Sequence, residues 1–233
     1  MDFTQKNARF TNTLFFVVSV KRRNGSKGEL VMTTRKNHSS IVKMTYFAIT
    51  LALVLVLHFA IGSITIGATN INVVLIPISL GAMLLGPSAG AALGFIYGAI
   101  VLIQGGVMAL DPFTSILFQN APFMTSLICL VKTTLAGFLS GLAYKLLKEK
   151  NHVVATFVAA AITPIVNTGV FILLCLTISD VLLANFVEAG STVIMFLVVG
   201  CAGWNFIWEF IVNMIFAPAM NTVAVVVSKR LLK

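Results

Sequence analysis

Six apolar segments follow one another along the chain from residue 44 onward, separated by short polar stretches. Long continuous apolar runs predict helices that cross a membrane rather than helices with one polar face. The predicted helices are Met44–Gly62, Ile71–Gly86, Pro87–Ile103, Ala121–Tyr144, Val153–Ile178 and a segment from about Thr192 to Pro218. The pattern therefore predicts an all-α integral membrane protein, a compact bundle of six transmembrane helices within residues 44–233.

The second and third segments are predicted to be separate helices because the run Gly86–Ser88 interrupts them. A single helix through both would be about 50 Å long, whereas the hydrocarbon core is about 30 Å thick. Two crossings also keep Lys145, Lys148 and Lys150 on the same side as the basic N-terminal region. Since lysine and arginine favour the cytoplasmic side, both termini are predicted to be cytoplasmic.

Composition and charge support this membrane location. Hydrophobic residues make up 58% of the 233 residues and charged residues 10%, against about 25% charged in soluble proteins. The net charge is +9, and nine of the sixteen lysines and arginines lie in residues 1–43. Cations clustered beside apolar segments favour contact with lipid headgroups over nucleic acid. Residues 1–43 are predicted to form a basic, disordered cytoplasmic extension.

The predicted outer loops are acidic. Ser63–Asn70, Gln104–Asn120 and Ser179–Ser191 contain three acidic residues and no lysine or arginine. The charge asymmetry between the two sides of the membrane is therefore complete.

Small residues recur at helical spacing in three of the segments. Glycines occupy every fourth position from Gly86 to Gly98, and Gly137 and Gly141 repeat the spacing in the fourth segment. Such stripes let two helix backbones approach closely, so we expect tight packing within the bundle. Ala48 and Ala52 form a similar pair on the first segment, for which internal packing is the expectation from spacing alone.

Three polar side chains on three different helices are predicted to lie at a similar depth in the membrane. Lys132 and Asn167 are each about 11 residues from the outer end of their segment, and Asn205 is about 13 residues in. A lysine at this depth requires a partner or a wet cavity. A cation beside two amides suits a small anionic molecule that carries amide or hydroxyl groups.

The alternative is that Lys132 forms an ion pair with Glu209, one turn beyond Asn205 on the same helix face. Asn213 lies one further turn along, so Glu209 and Asn213 are expected to take structural roles in hydrogen bonding between helices. Further ligand candidates are Asn72 and Gln104 at the ends of the outer loops and Trp204 beside Asn205. Solvated loop positions and a lipid-facing tryptophan are the structural alternatives for these three.

The sequence holds no pattern for catalysis, a cofactor or a metal. His58 has no second ligand at metal-binding spacing, and the three cysteines stand alone in apolar stretches. No phosphate-binding loop, nucleophile elbow or paired-carboxylate arrangement is present. An enzyme is therefore not expected, and the chain cannot hydrolyse ATP by itself.

Together these features resemble the substrate-binding S-component of energy-coupling factor (ECF) vitamin transporters. The similarity lies in Tyr46–Ala52 with its AxxxA pattern, in the glycine-rich block Leu75–Gly94, in Thr163–Gly169 and in Trp204–Asn213. The Asn-Thr-Gly block and the polar line of the last helix are most similar to the pantothenate-specific members. Where many relatives carry arginine in the fourth helix, this chain has Lys132.

The resemblance implies a subunit in a prokaryotic cell membrane that binds a small vitamin, pantothenate first, and has no enzymatic activity. Its implied partners are a transmembrane T-component, against which Ala48 and Ala52 would lie, and two ABC-type ATPases. S-components for hydroxymethylpyrimidine, pyridoxine or riboflavin share much of the pattern. A self-sufficient secondary transporter is the alternative from another class, since Lys132 and Glu209 are compatible with ion coupling.

Overall fold

The computed structural model describes residues 38–61, 65–66, 69–70 and 73–231. Asn72 and most of the predicted N-terminal extension lie outside these residues. Residues 42–233 form one packed unit. The helices are α1 His38–Ile61, α2 Leu75–Leu85, α3 Pro87–Val101, α4 Pro112–Asn120, α5 Pro122–Leu147, α6 His152–Cys175, α7 Ser179–Asn185, α8 Val193–Met195 and α9 Trp204–Leu231. Two short strands, β1 Thr65–Ile66 and β2 Thr69–Asn70, pair antiparallel.

Irregular helical turns extend three of these helices. Wide π-helical turns over Leu102–Val107 follow α3, and a second set over Phe196–Gly203 joins α8 to α9. A short 3-10 turn, Leu176–Ile178, joins α6 to α7. The third, fifth and sixth predicted segments are therefore built from more than one kind of helix or extended by additional turns.

Five stretches of the described chain are long and apolar enough to cross a membrane. They are Ile41–Ala60, Pro87–Val107, Pro122–Leu147, His152–Asn185 and Val193–Ser228. The second predicted helix, Ile71–Gly86, is shorter than predicted, because α2 has 11 residues and rises only about 16 Å. Most of its side chains are buried, so α2 packs inside the bundle along much of its surface.

The predicted break between the second and third segments is confirmed. Helix α2 ends at Leu85, Gly86 has a φ of 98°, and α3 begins with Pro87 at its first position. Glycine adopts a positive φ without steric cost, and proline lacks the N–H that an incoming helix would need. The two residues together end one helix and start the next.

The glycine stripe of α3 packs against the backbone of α5. A Cβ added to Gly90, Gly94 or Gly98 would meet main-chain atoms of α5, at Gly137, Thr133 and Cys129 respectively. The contacts run in opposite directions along the two helices, so α3 and α5 are antiparallel. The Thr133 hydroxyl donates across this contact to the Gly94 carbonyl at 2.7 Å. The expectation of close packing within the bundle is confirmed for this stripe.

Buried polar side chains join α6 to its two neighbours. Ser140 on α5 donates to the Ala159 carbonyl at 3.1 Å. Thr156 on α6 donates to the Asn221 side chain on α9 at 3.1 Å. Such bonds satisfy polar groups where hydrocarbon offers no partner, and they fix neighbouring helices in register.

Three predicted boundaries are wrong, each for a local reason. The predicted loop Gln104–Asn120 contains α4, because the Asp111 side chain accepts from the Thr114 N–H at 3.0 Å and caps the helix. The predicted loop Ser179–Ser191 contains α7. Helix α9 continues through Pro218 rather than ending there, and the Thr222 hydroxyl donates to the Pro218 carbonyl at 3.1 Å.

Candidate ligand-binding site

A cavity of about 570 Å³ is lined by side chains of α1, α3, α4, α5, α6 and α9. Its wall also includes the π-helical turns that follow α3 and residues before α2. Cavities that hold small molecules in proteins have volumes of about 300–1,000 Å³. The cavity brings together Lys132, Asn167, Asn205, Gln104 and Glu209, which the sequence places on four different segments.

Lys132 is a partly buried cation in the cavity wall, contributed by α5. Its amine lies over the ring of Phe171, 5.0 Å from the ring centroid. A cation at this distance is attracted to the negative face of an aromatic ring. Phe171 itself lines the cavity one turn beyond Asn167 on α6, so the ring holds the amine within reach of a bound molecule.

Asn167 and Glu209 form a hydrogen-bonded pair between α6 and α9. The Asn167 amide donates to a Glu209 carboxylate oxygen at 3.4 Å. Both side chains line the cavity, although they are only 4% and 2% exposed. The expected bonding between helices through Glu209 is thus present. The described contacts include the one between Lys132 and Phe171 and the one between Glu209 and Asn167.

Asn213 lies one turn beyond Glu209 and is 1% exposed. Its amide donates to the Glu209 main-chain carbonyl at 2.8 Å, within α9. This bond supports the helix that carries Glu209, whereas the prediction for Asn213 was a hydrogen bond between helices.

Gln104 lies in the π-helical turns that follow α3 and lines the cavity. Its side-chain oxygen is hydrogen-bonded to the His58 ring, and its main-chain oxygen accepts from the Leu110 N–H at 3.0 Å. His58 also lines the cavity and packs edge-on against Tyr97, with ring centroids 5.5 Å apart. Gln104 therefore ties α1 to the turn that closes the cavity.

The sequence reasoning missed the contribution of α4 to the cavity. Asp111, Phe113, Thr114 and Leu117 all line it. A signal was present, because an N-cap aspartate followed directly by proline is a common helix start. Phe171 was also missed, although its spacing from Asn167 places both on one helix face.

The prediction that Trp204 contacts the ligand requires a correction. The side chain is 62% exposed and does not belong to the described cavity wall, although the neighbouring Asn205 does. Residues adjacent in a helix point about 100° apart, so the two neighbouring side chains can have different surroundings. The structure therefore gives no support to Trp204 as a ligand contact and places it on the outer surface of α9.

Ala48 and Ala52 lie on an exposed face of α1. The same helix buries Thr50 and Val54, which turn toward the rest of the bundle. Internal packing, the expectation from spacing alone, is therefore wrong for this alanine pair. Its surroundings are also apolar and exposed, including Leu53 at 41%.

Comparison with known proteins places the chain in a family. The family model for the substrate-specific component of ECF transporters matches residues 42–227. The pantothenate transporter PanT of Leuconostoc mesenteroides subsp. mesenteroides is 25% identical over 206 residues, covering 85% of this chain and 98% of that protein. No solved structure matches the chain. Since the family match spans most of the sequence, the chain belongs to the family of substrate-specific components of ECF transporters.

Proposed function

We propose that this chain captures pantothenate from outside the cell and delivers it inward as the binding subunit of an ECF transporter. The observation that carries the proposal is the Lys132 amine in the wall of a cavity that also presents amide groups. Pantothenate offers a carboxylate, an amide and two hydroxyl groups, which complement these side chains. The similarity to a curated pantothenate transporter supports the same ligand.

The proposed contacts follow from the chemistry of the wall. Lys132 binds the carboxylate, because an ammonium group only donates hydrogen bonds and carries the opposite charge. Asn167 and Asn205 bind the amide or the hydroxyl groups. Gln104 orders the wall through His58. Asn72 stays a prediction, because it lies outside the described residues.

Six crossings with both termini in the cytoplasm are the proposed topology. The arrangement at one end of the bundle supports it, since Lys43 of α1 and Ser88 at the start of α3 line the same surface groove. Pro87 in turn packs against Gly141 near the basic end of α5. Helix α2 then belongs to the second crossing. The positive-inside rule assigns the lysine-rich end to the cytoplasm.

The proposed partners are a transmembrane T-component and two ABC-type ATPases, as membership of the family implies. The exposed face around Ala48 and Ala52 is the proposed contact with the T-component. Small side chains there allow the backbone of a partner helix to approach closely.

The proposal is tested by identifying what the purified protein carries and binds. Mass spectrometry of co-purifying small molecules should find pantothenate, and titration should show saturable one-to-one binding. Co-purified hydroxymethylpyrimidine, pyridoxine or riboflavin, without pantothenate binding, would contradict the ligand assignment. Uptake by the chain alone in liposomes would instead favour a secondary transporter.

A further inference from the structure

A buried amide–carboxylate pair forms part of the cavity wall where α6 meets α9. Asn167 donates to Glu209 at 3.4 Å, and both residues line the cavity while being more than nine-tenths buried. Surrounding protein shields most of each side chain. A molecule bound inside the cavity can therefore reach the polar surface of Asn167 and Glu209 that the protein leaves accessible.

The hydrogen bond to Glu209 sets the orientation of the Asn167 amide. Because carboxylate oxygens accept hydrogen bonds, the NH₂ group of Asn167 faces Glu209. The other polar atom of the Asn167 amide is its side-chain carbonyl oxygen, Oδ1. That Oδ1 atom is buried and has no hydrogen-bond partner among the described residues. A buried acceptor without a donor is unfavourable, so a donor arriving in the cavity would stabilise the pair.

The cavity therefore presents two different kinds of chemistry. Lys132 only donates hydrogen bonds, whereas the Asn167 oxygen and the Glu209 carboxylate accept them. A ligand that bonds with both kinds of group must carry an anion, which accepts from Lys132, and separate groups that donate to Asn167 and Glu209. Hydroxyl groups are such donors, and their bonds to a carboxylate are stronger than bonds between neutral groups.

We infer that Asn167 and Glu209 form a second subsite that recognises the hydroxyl groups of the ligand, apart from the carboxylate subsite at Lys132. This inference rests on the proposed function. It gives Glu209 a part in specificity in addition to its bond between helices. It also predicts that a ligand with the same carboxylate and amide but without hydroxyls is rejected.

The test compares pantothenate with an analogue that differs from it only in lacking the hydroxyl groups. N-(3,3-dimethylbutanoyl)-β-alanine keeps the carboxylate, the amide and the carbon skeleton of pantothenate and lacks both hydroxyls. Titration calorimetry of the purified full chain should show pantothenate binding at least about 30-fold more tightly than this analogue, as expected when the buried Asn167 oxygen is left without a donor.

Two variants test whether Glu209 and Asn167 cause the preference for pantothenate over the analogue. Glu209→Gln, which keeps the size of the side chain, should weaken pantothenate binding about 10-fold by replacing charge-assisted bonds with neutral ones. The affinity for the analogue should change less than about two-fold. Asn167→Leu should bind pantothenate and the analogue with similar affinity. Asn213→Leu is the matched control, since Asn213 is equally buried one turn away and is not part of the described cavity wall.

The possible results separate two kinds of failure. If wild type binds pantothenate and both variants keep the full preference over the analogue, the hydroxyl subsite is refuted while the proposed function stands. Equal weakening of both ligands by Glu209→Gln would likewise reduce Glu209 to a structural residue. If wild type does not bind pantothenate at all, the proposed function fails, and the inference falls with it. Should Asn167→Leu fail to fold, Glu209→Gln alone decides.

Discussion

Replacing Gly94 by alanine should separate α3 from α5. The added Cβ would stand 2.6 Å from the Thr133 carbonyl carbon, whereas carbon atoms in contact need about 3.5–4.0 Å. The obstacle is main chain and cannot rotate away, so the helices must move apart by about 1 Å. Overpacking of this kind costs about 1–3 kcal/mol. The movement also lengthens the 2.7 Å bond from the Thr133 hydroxyl to the Gly94 carbonyl, which adds about 0.5–1.5 kcal/mol.

The sum predicts a loss of about 1.5–4.5 kcal/mol, which lowers the unfolding midpoint by about 3–18 °C for a chain of this size. The buried thiols of Cys129, Cys175 and Cys201 allow a direct assay, because a thiol-reactive fluorescent dye labels them as the protein unfolds. The matched control is Gly169→Ala on α6, where an added Cβ meets no atom of the described residues within 4 Å. Its midpoint should stay unchanged or rise slightly, since alanine favours helix. Equal midpoints for Gly94→Ala and the control would refute the packing argument.

Three further changes test separate features of the structure. Thr133→Val removes the bond to Gly94 and should lower the unfolding midpoint by about 2–4 °C. Thr134→Val is the control, because the described hydrogen bond of the Thr134 hydroxyl lies within its own helix, to the Leu130 carbonyl. Trp204→Phe should leave pantothenate affinity within two-fold in a binding titration. A larger loss of affinity would show that Trp204 contributes to ligand binding. Ala48→Trp should preserve pantothenate binding and abolish uptake by the assembled transporter in liposomes, while retained uptake would exclude this face as the T-component contact.

Much of the helix pattern could be predicted from the sequence. Continuous apolar runs identify membrane helices because exposing main-chain polar groups to hydrocarbon is costly. The break at Gly86 follows from local main-chain chemistry, and the stripe from Gly90 to Gly98 shows where two backbones meet. Estimates of depth also brought Lys132 and Asn167 to one level without any knowledge of helix rotation. Both residues line one cavity.

Helix rotation could not be predicted, because the core and the lipid-facing surface of a membrane protein are similarly apolar. Hydropathy therefore does not distinguish the exposed Trp204 from the cavity-facing Asn205, or the exposed Ala48 from the buried Thr50. The π-helical turns add to the problem, since they change the angle between successive side chains. The shortness of α2 was also hidden, because the apolar residues Ile71, Val73 and Val74 precede its first residue.

The most direct test of the central claim is the affinity of Lys132→Met for two ligands, pantothenate and its alcohol analogue pantothenol, in which a hydroxymethyl group replaces the carboxylate. Loss of a bond to a charged group of about 1.5–3 kcal/mol predicts that pantothenate binding weakens about 10- to 100-fold. Pantothenol binding should stay within about two-fold, because it lacks the charge that Lys132 recognises. Unchanged pantothenate affinity in Lys132→Met, with the protein folded, would contradict the account.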